Sequence, residues 1–226
     1  MTKYTLIAVP CMDFIPYQFA ESLLNLQKPE GTKVCFKSGS LIYDARNLIS
    51  LTAIENNYDY VLWLDSDVTV PYNALTTLLN HASPDREMIS ALYVKRRLPS
   101  KPVIYNVLDE PSLNDQNILT ANVSEWMDYP RDTLTPVRGC GFGCVLTSVP
   151  LLKRVWDKFG PAFAPFPWAG EDLSFCHRVN LLYASDPEPH KSIWADTSIK
   201  CGHIGNFIYT EQLLNRGDTI GKNESC

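Results

Sequence analysis

Asp65-Ser66-Asp67 places two carboxylates one residue apart where an apolar run, Tyr60-Val61-Leu62-Trp63-Leu64, comes to an end. Two acids so spaced at the end of a strand can turn oxygens toward one hard divalent cation, which can in turn bind phosphate oxygens. In open α/β sheets the ligand crevice lies beyond the carboxyl ends of the strands, and that location gives the pair its weight. A cation held there would neutralise a diphosphate leaving group. A second acidic pair, Glu171-Asp172, follows Trp168-Ala169-Gly170 and precedes a helical stretch marked by Leu173, Cys176, Val179 and Tyr183. Both acids then fall at a helix N-terminus and open toward the same cleft. The third constellation is Ala195 to Gly205, where His203 lies between two glycines after a strand-like run. Beside a carboxylate pair, that imidazole is a candidate third metal ligand. Each of these groups also has an ordinary reading, as a turn former, a helix cap, a first-turn acid or a structural histidine.

The elements that must position these residues follow an alternating strand and helix pattern, that of βαβ units with a mostly parallel sheet. Residues 5–10 read as the first strand. A helix follows from about Pro16, with Phe19, Leu23 and Leu26 at helical spacing. Lys33 to Lys37 reads as a second strand, and Leu41 to Asn56 as a helix with Ala45, Leu48 and Thr52 on one face. Tyr60–Leu64 is the strongest strand signal, an unbroken apolar run suited to burial on both sides. A helix from about Pro71 buries Leu75, Leu78, Leu79 and Ala82, and Met88 to Tyr93 returns as a strand. From there to about Pro136 the chain is richer in Pro, Asn and Asp and reads as loops and short strands flanking a site. Val137 to Ser148 alternates Gly139, Gly141 and Gly143 with Cys140, Phe142 and Cys144, which suits a strand whose backbone something approaches closely. A helix lined by Leu152, Val155, Trp156 and Phe159 follows. The expectation is one α/β domain over 1–226, with a Rossmann-like nucleotide-binding half over about 1–100 and a smaller mixed acceptor-side region over about 101–226.

Composition narrows the function classes. The 226 residues carry a net charge of −5, which argues against a broad electrostatic footprint for nucleic acid. No run of about 18 apolar residues occurs, and the start, Met1-Thr2-Lys3-Tyr4 running into an apolar strand, does not read as a signal peptide. A soluble cytoplasmic protein is expected, with its seven cysteines as reduced thiols.

Taken in order, Gly39 to Asn47 with its Ala45-Arg46-Asn47, the strand into Asp65-Ser66-Asp67, the Gly170-Glu171-Asp172 segment and the Cys201-Gly202-His203 loop resemble the GT-A glycosyltransferases. The likeness is to the family 2-like enzymes and their small bacterial and phage relatives, and it spans nearly the whole chain. It implies an enzyme that moves a sugar from a nucleotide-sugar donor, UDP- or GDP-linked, to an acceptor hydroxyl. Pro10, Cys11 and Asp13 would hold the nucleoside, with Arg46 near the phosphates and Ser66 on the donor. Asp65 and Asp67 match the metal motif, usually serving Mn2+ or Mg2+, and His203 matches a late histidine that some members add to it. Glu171-Asp172 resembles the acidic pair whose aspartate deprotonates the acceptor, with inversion as the outcome of a single displacement. Gly170 and Trp168, which adjoins that pair, are the acceptor-side candidates. The acceptor is open: a saccharide, a lipid-linked intermediate, a protein or a modified base of phage DNA. Pro10-Cys11-Met12-Asp13 replaces the more usual Pro-Thr-Tyr-Asn, and Ser38-Gly39-Ser40 lacks an acidic cluster, so the nucleotide is also open.

Two readings compete. Asp65 could be the nucleophile of a haloacid dehalogenase-like phosphatase, although two strand-helix units precede it here. Cys140, Cys144, Cys176, His177, Cys201 and His203 could instead serve a zinc-stabilised binding domain. Lys95-Arg96-Arg97, near Tyr93 and Lys101, is either a solvated loop or a contact for phosphates or an acidic acceptor.

Overall fold

A computed structural model describes residues 3–39, 41–185 and 192–216. Met1, Thr2 and Ser40, on which part of the sequence reading drew, lie outside the described residues. Strand β1 (Thr5–Pro10) sends Leu6 and Ala8 to one side of the sheet and Ile7 and Val9 to the other, all of them buried. Helix α1 (Tyr17–Asn25) buries Phe19 and Leu23, and β2 (Thr32–Lys37) follows. Helix α2 (Ile42–Glu55) buries Ala45, Arg46, Ile49, Ser50 and Ala53. This corrects the expected face: Leu48 is exposed, as is Thr52, because the helix is turned to bring Arg46 inside.

Strand β3 (Tyr60–Leu64) ends at the first acid, and the two-residue β4 (Val68–Thr69) follows the second. Helix α3 (Ala74–His81) and β5 (Met88–Leu92) complete the first half. Short strands then follow: β6 (Ile104–Leu108), β7 (Ser112–Leu113), β8 (Leu119–Thr120), β9 (Val123–Glu125) and β10 (Leu134–Val137). The glycine-alternating segment is two strands rather than one, β11 (Gly139–Cys140) and β12 (Cys144–Ser148). Helix α4 (Val149–Phe159) starts where the Ser148 hydroxyl accepts the Leu151 N–H at 3.1 Å. Helix α5 (Glu171–Leu182), β13 (Ile193–Lys200), β14 (Gly202–Ile204), β15 (Ile208–Tyr209) and a 3-10 turn, Glu211–Arg216, follow.

The main sheet has the order β10-β13-β5-β12-β3-β1-β2. β1, β2, β3, β5 and β13 run one way; β12 and β10 run against them. The sheet is therefore mostly parallel, with an antiparallel strand, β12, inserted between β3 and β5. One core packs against Ala8, Val61 and Trp63 and includes Ile49, Leu152 and Phe175 from α2, α4 and α5. The other packs against Ile7, Leu62 and Leu64 and includes Phe19, Leu75 and Leu78 from α1 and α3. The continuous apolar run of β3 is thus explained by helices on both faces. Among the described residues no helix is long and apolar enough to cross a membrane.

Candidate functional site

The carboxyl ends of β1, β2 and β3 open into a cleft of about 340 Å³. Pro10 and Cys11 line it from the end of β1, and Asp65, Ser66 and Asp67 from the end of β3. His203 arrives from far along the chain because β4 and β14 pair antiparallel, with His203 opposite Val68 and the Ile204 N–H donating to the Asp67 carbonyl at 2.7 Å. Two strands of two or three residues therefore fix the histidine beside the second acid. Its Nδ1–H donates to the Val94 carbonyl at 2.8 Å, and its ring meets Tyr93 edge-on at 5.3 Å. The other ring nitrogen, Nε2, faces Asp67 Oδ2 at 3.6 Å. A carboxylate oxygen and an imidazole nitrogen facing one another, with the far ring nitrogen tied to a backbone carbonyl, are groups of the kinds that hold a cation. Burial pushes the Asp67 carboxyl up, but the His203 contact and charge and the nearby Arg96 outweigh it, and the net direction is down.

Arg46 is placed differently from the expectation. It is 1% exposed and does not line the cleft; it lies beneath it, with Nη2 on Asp65 Oδ1 at 2.7 Å and Nη1 on Glu171 Oε1 at 2.5 Å. Its guanidinium rests on the rings of Phe142 and Phe163, at 5.2 and 5.8 Å, within an aromatic cluster that includes Trp63 and Phe175. One buried cation so ties α2, the end of β3 and the start of α5 together. Asp65, its carboxyl pushed up by burial and pulled back by Arg46, ends above its ordinary value. Arg46 thus holds Asp65 through Oδ1, while the residue still lines the cleft.

Glu171 and Asp172 occupy the first turn of α5, preceded by Gly170 in an extended conformation. Asp172 Oδ1 accepts the Leu173 N–H at 2.7 Å. Burial, then the neighbouring Glu171, push its carboxyl up to about 6, with Arg46 opposing. A carboxylate so placed is ionised at neutral pH yet basic enough to accept a proton. Neither acid of α5 lines the cleft itself, nor do Asp13, which is exposed, and Gly170. Trp168 stacks on Phe166 at 5.5 Å and meets His177 edge-on, so its ring is engaged in packing.

The glycine run serves the protein's own interior. A Cβ on Gly141 would stand 2.1 Å from the Tyr93 hydroxyl, and one on Gly143 would stand 2.7 Å from the Tyr93 ring. The Tyr93 hydroxyl accepts the Gly143 N–H at 3.2 Å, and the Gly143 carbonyl accepts the Asp65 N–H at 3.1 Å. Glycine is required so that Tyr93 can cross this backbone and reach His203.

Met12, Lys37 and Ile42 also line the cleft without having been singled out by residue type or spacing, and Ala45 of the Ala45-Arg46-Asn47 segment lines it beside them. Arg96 lines the cleft as well, and its Nη1 lies 2.8 Å from Asp67 Oδ2. Its neighbours Lys95, Arg97 and Lys101 converge instead on Glu125, at 2.6, 3.7 and 3.3 Å. Among the described residues no three His, Cys, Asp or Glu side chains form a cluster able to hold a metal ion by themselves. The six residues of the zinc reading do not gather: Cys176 contacts Cys140, His177 packs on Phe166 and Trp168, and His203 belongs to the Asp67 cleft.

No protein-family model matches the chain, and no curated protein matches it by sequence. Solved structures match it by shape. A197 from STIV superposes on 89% of this chain and 85% of its own, with a TM-score of 0.59 at 18% identity. GalNAc-T7, solved with UDP, GalNAc and Mn2+, superposes on 90% of this chain with a TM-score of 0.54 at 7% identity. The fold is GT-A. This chain spans 43% of the GalNAc-T7 chain, so the likeness concerns the GT-A unit alone. In a GT-A sheet the cleft described above lies at the strand ends, where α/β sheets bind their ligands.

Proposed function

We propose that the protein is a glycosyltransferase that binds a nucleotide-sugar, UDP- or GDP-linked, in the cleft at the ends of β1 and β3. The observation that carries this reading is the convergence of Asp65, Asp67 and His203 on one cleft through the β4–β14 pairing. Asp67 and His203, with Asp65 behind them, would hold Mn2+ or Mg2+, whose charge supplies the neutralisation of the departing diphosphate. An incomplete protein cage suits this role, because Mg2+ is characteristically held by one or two carboxylates together with substrate phosphates and water. The Mn2+ and UDP in the GalNAc-T7 structure agree with it.

Pro10, Cys11 and Ser66 line the donor side, and Asp13 stands two residues beyond Cys11. Asp172, held by α5 and paired in sequence with Glu171, accepts the proton of the acceptor hydroxyl. As it does so, the acceptor oxygen bonds to the anomeric carbon, the bond from that carbon to the phosphate oxygen breaks, and the nucleoside diphosphate leaves. A single displacement of this kind inverts the anomeric centre. Arg46 acts from below by holding Asp65 and Glu171 in register. We assign residues 1–100 to the donor side and 101–226 to the acceptor side of one domain, with Gly170 and Trp168 at the acceptor end. A cytoplasmic location accords with the six described cysteines being free thiols.

A melting-temperature screen of UDP-, GDP-, CMP- and dTDP-sugars, each with and without Mn2+, tests the reading, since a ligand that binds only the folded state raises the transition. A Mn2+-dependent rise confined to one nucleotide class is expected. No rise with any of the four would remove the basis of the proposal.

A further inference from the structure

Three observations converge on Arg96. Asp67 Oδ2 is shared between two cationic or cation-seeking partners, Arg96 Nη1 at 2.8 Å and His203 Nε2 at 3.6 Å. The two partners are held very differently. His203 sits in a strand, its far nitrogen bonded to Val94 and its ring against Tyr93, and its side chain is 14% exposed. Arg96 lies in the loop between β5 and β6, its side chain is 49% exposed, and its remaining polar contact is the Ile204 carbonyl at 3.4 Å. The loop itself is firmly anchored: Lys95 and Lys101 pair with Glu125, and the Lys95 N–H donates to the Lys101 carbonyl at 2.8 Å. A fixed backbone therefore carries one side chain with room to swing. Gly205 preserves that room, since a Cβ there would stand 3.4 Å from Arg96 Cδ and 3.0 Å from the Tyr209 ring.

We propose that Arg96 is an exchangeable counter-ion: it neutralises Asp67 while the cleft is empty, and moves to the diphosphate when cation and nucleotide enter together. This rests on the donor-site reading given above. A divalent cation on Asp67 Oδ2 and a guanidinium at hydrogen-bond distance from the same oxygen repel one another, and the half-exposed arginine yields at the lower cost. The displaced guanidinium stays tethered at the cleft wall, where a diphosphate is the new anion and matches its planar fork of donors. Metal alone must displace Arg96 without compensation, whereas metal with nucleotide gives it a new partner. Positive coupling between the two ligands is the consequence.

The test is Mn2+ binding, followed through the electron paramagnetic resonance signal of the free ion, and UDP and GDP binding at saturating Mn2+, in the wild-type protein and in Arg96→Ala. The variant is expected to bind Mn2+ alone about tenfold more tightly and the nucleoside diphosphate about tenfold more weakly, a coupling within the usual range. Arg96→Lys, which keeps the charge and loses the fork, should restore the weak Mn2+ affinity and only part of the nucleotide affinity. Unchanged affinities in Arg96→Ala, or losses of both with the melting temperature intact, would overturn the exchange. If Asp67→Asn still removes metal-dependent binding in that case, the donor-site reading stands and the exchange alone falls. If neither nucleotide binds the wild type with Mn2+, both fall together.

Discussion

Asp172 and Asp67 have opposite electrostatic settings, which suit the different roles proposed for them. Asp172 is raised to about 6 by burial and by Glu171, whereas Asp67 is held low by His203 and Arg96 despite its burial. A base must be ionised to accept a proton, so sugar transfer should fall about tenfold per unit as pH drops below 6. For stability the sign reverses: the contribution from protonated Asp172 is full below its ordinary value of 3.8 and is lost as pH rises through about 6. Asp172→Asn is expected to leave nucleotide binding within about twofold and to lower transfer by at least about a hundredfold, the usual scale of a lost general base. Loss of binding equal to the loss of transfer would refute the separation of roles. Residue type and spacing single out Asp65, Asp67 and His203, which the structure brings to one cleft, but they also point Glu171 and Asp172 at that cleft, which neither acid lines. The burial of Arg46 was not legible, since nothing in its local sequence announces that its two partners lie 19 and 125 residues away.

Among the elements, α2 and the glycine run differ most from the pattern in the sequence, and for related reasons. The apolar periodicity of α2 favours a face through Ala45, Leu48 and Thr52, but the deciding residue is a charged one: Arg46 is drawn inward by Asp65, Glu171 and the Phe142 and Phe163 rings, and Leu48 turns outward. The glycines did signal a close approach, and the approaching group is Tyr93, whose ring then supports His203. Arg46 is the joint between α2, β3 and α5, so its loss should loosen all three. Arg46→Met is expected to destabilise the protein by about 3–5 kcal/mol, since removing one partner leaves the other charges unpaired in partly buried positions. Urea unfolding would measure this; a change below about 1 kcal/mol would show that the two carboxylates find other partners.

At the scale of the whole molecule, the alternation of strands and helices was enough to anticipate a mostly parallel α/β sheet, and a cleft does open at its strand ends. The alternation did not reveal that β12 runs antiparallel between β3 and β5, because a strand inserted from later in the chain leaves no mark on the local pattern of the strands it separates. Nor did it reveal β4 and β14, whose pairing over two residues carries His203 to Asp67. That long-range closure makes the cleft a product of both halves of the chain: it is shaped by the ends of β1, β2 and β3, and completed by a histidine more than a hundred residues later. Nucleotide-sugar binding through a cation in this cleft is the property on which the proposed function depends. Calorimetric titration of UDP- and GDP-sugars into wild-type protein and Asp67→Ala, with Mn2+ and with the metal chelated, measures it directly. Binding that requires Mn2+ and disappears in Asp67→Ala is the expected result; binding that is indifferent to the metal or to Asp67 would contradict it.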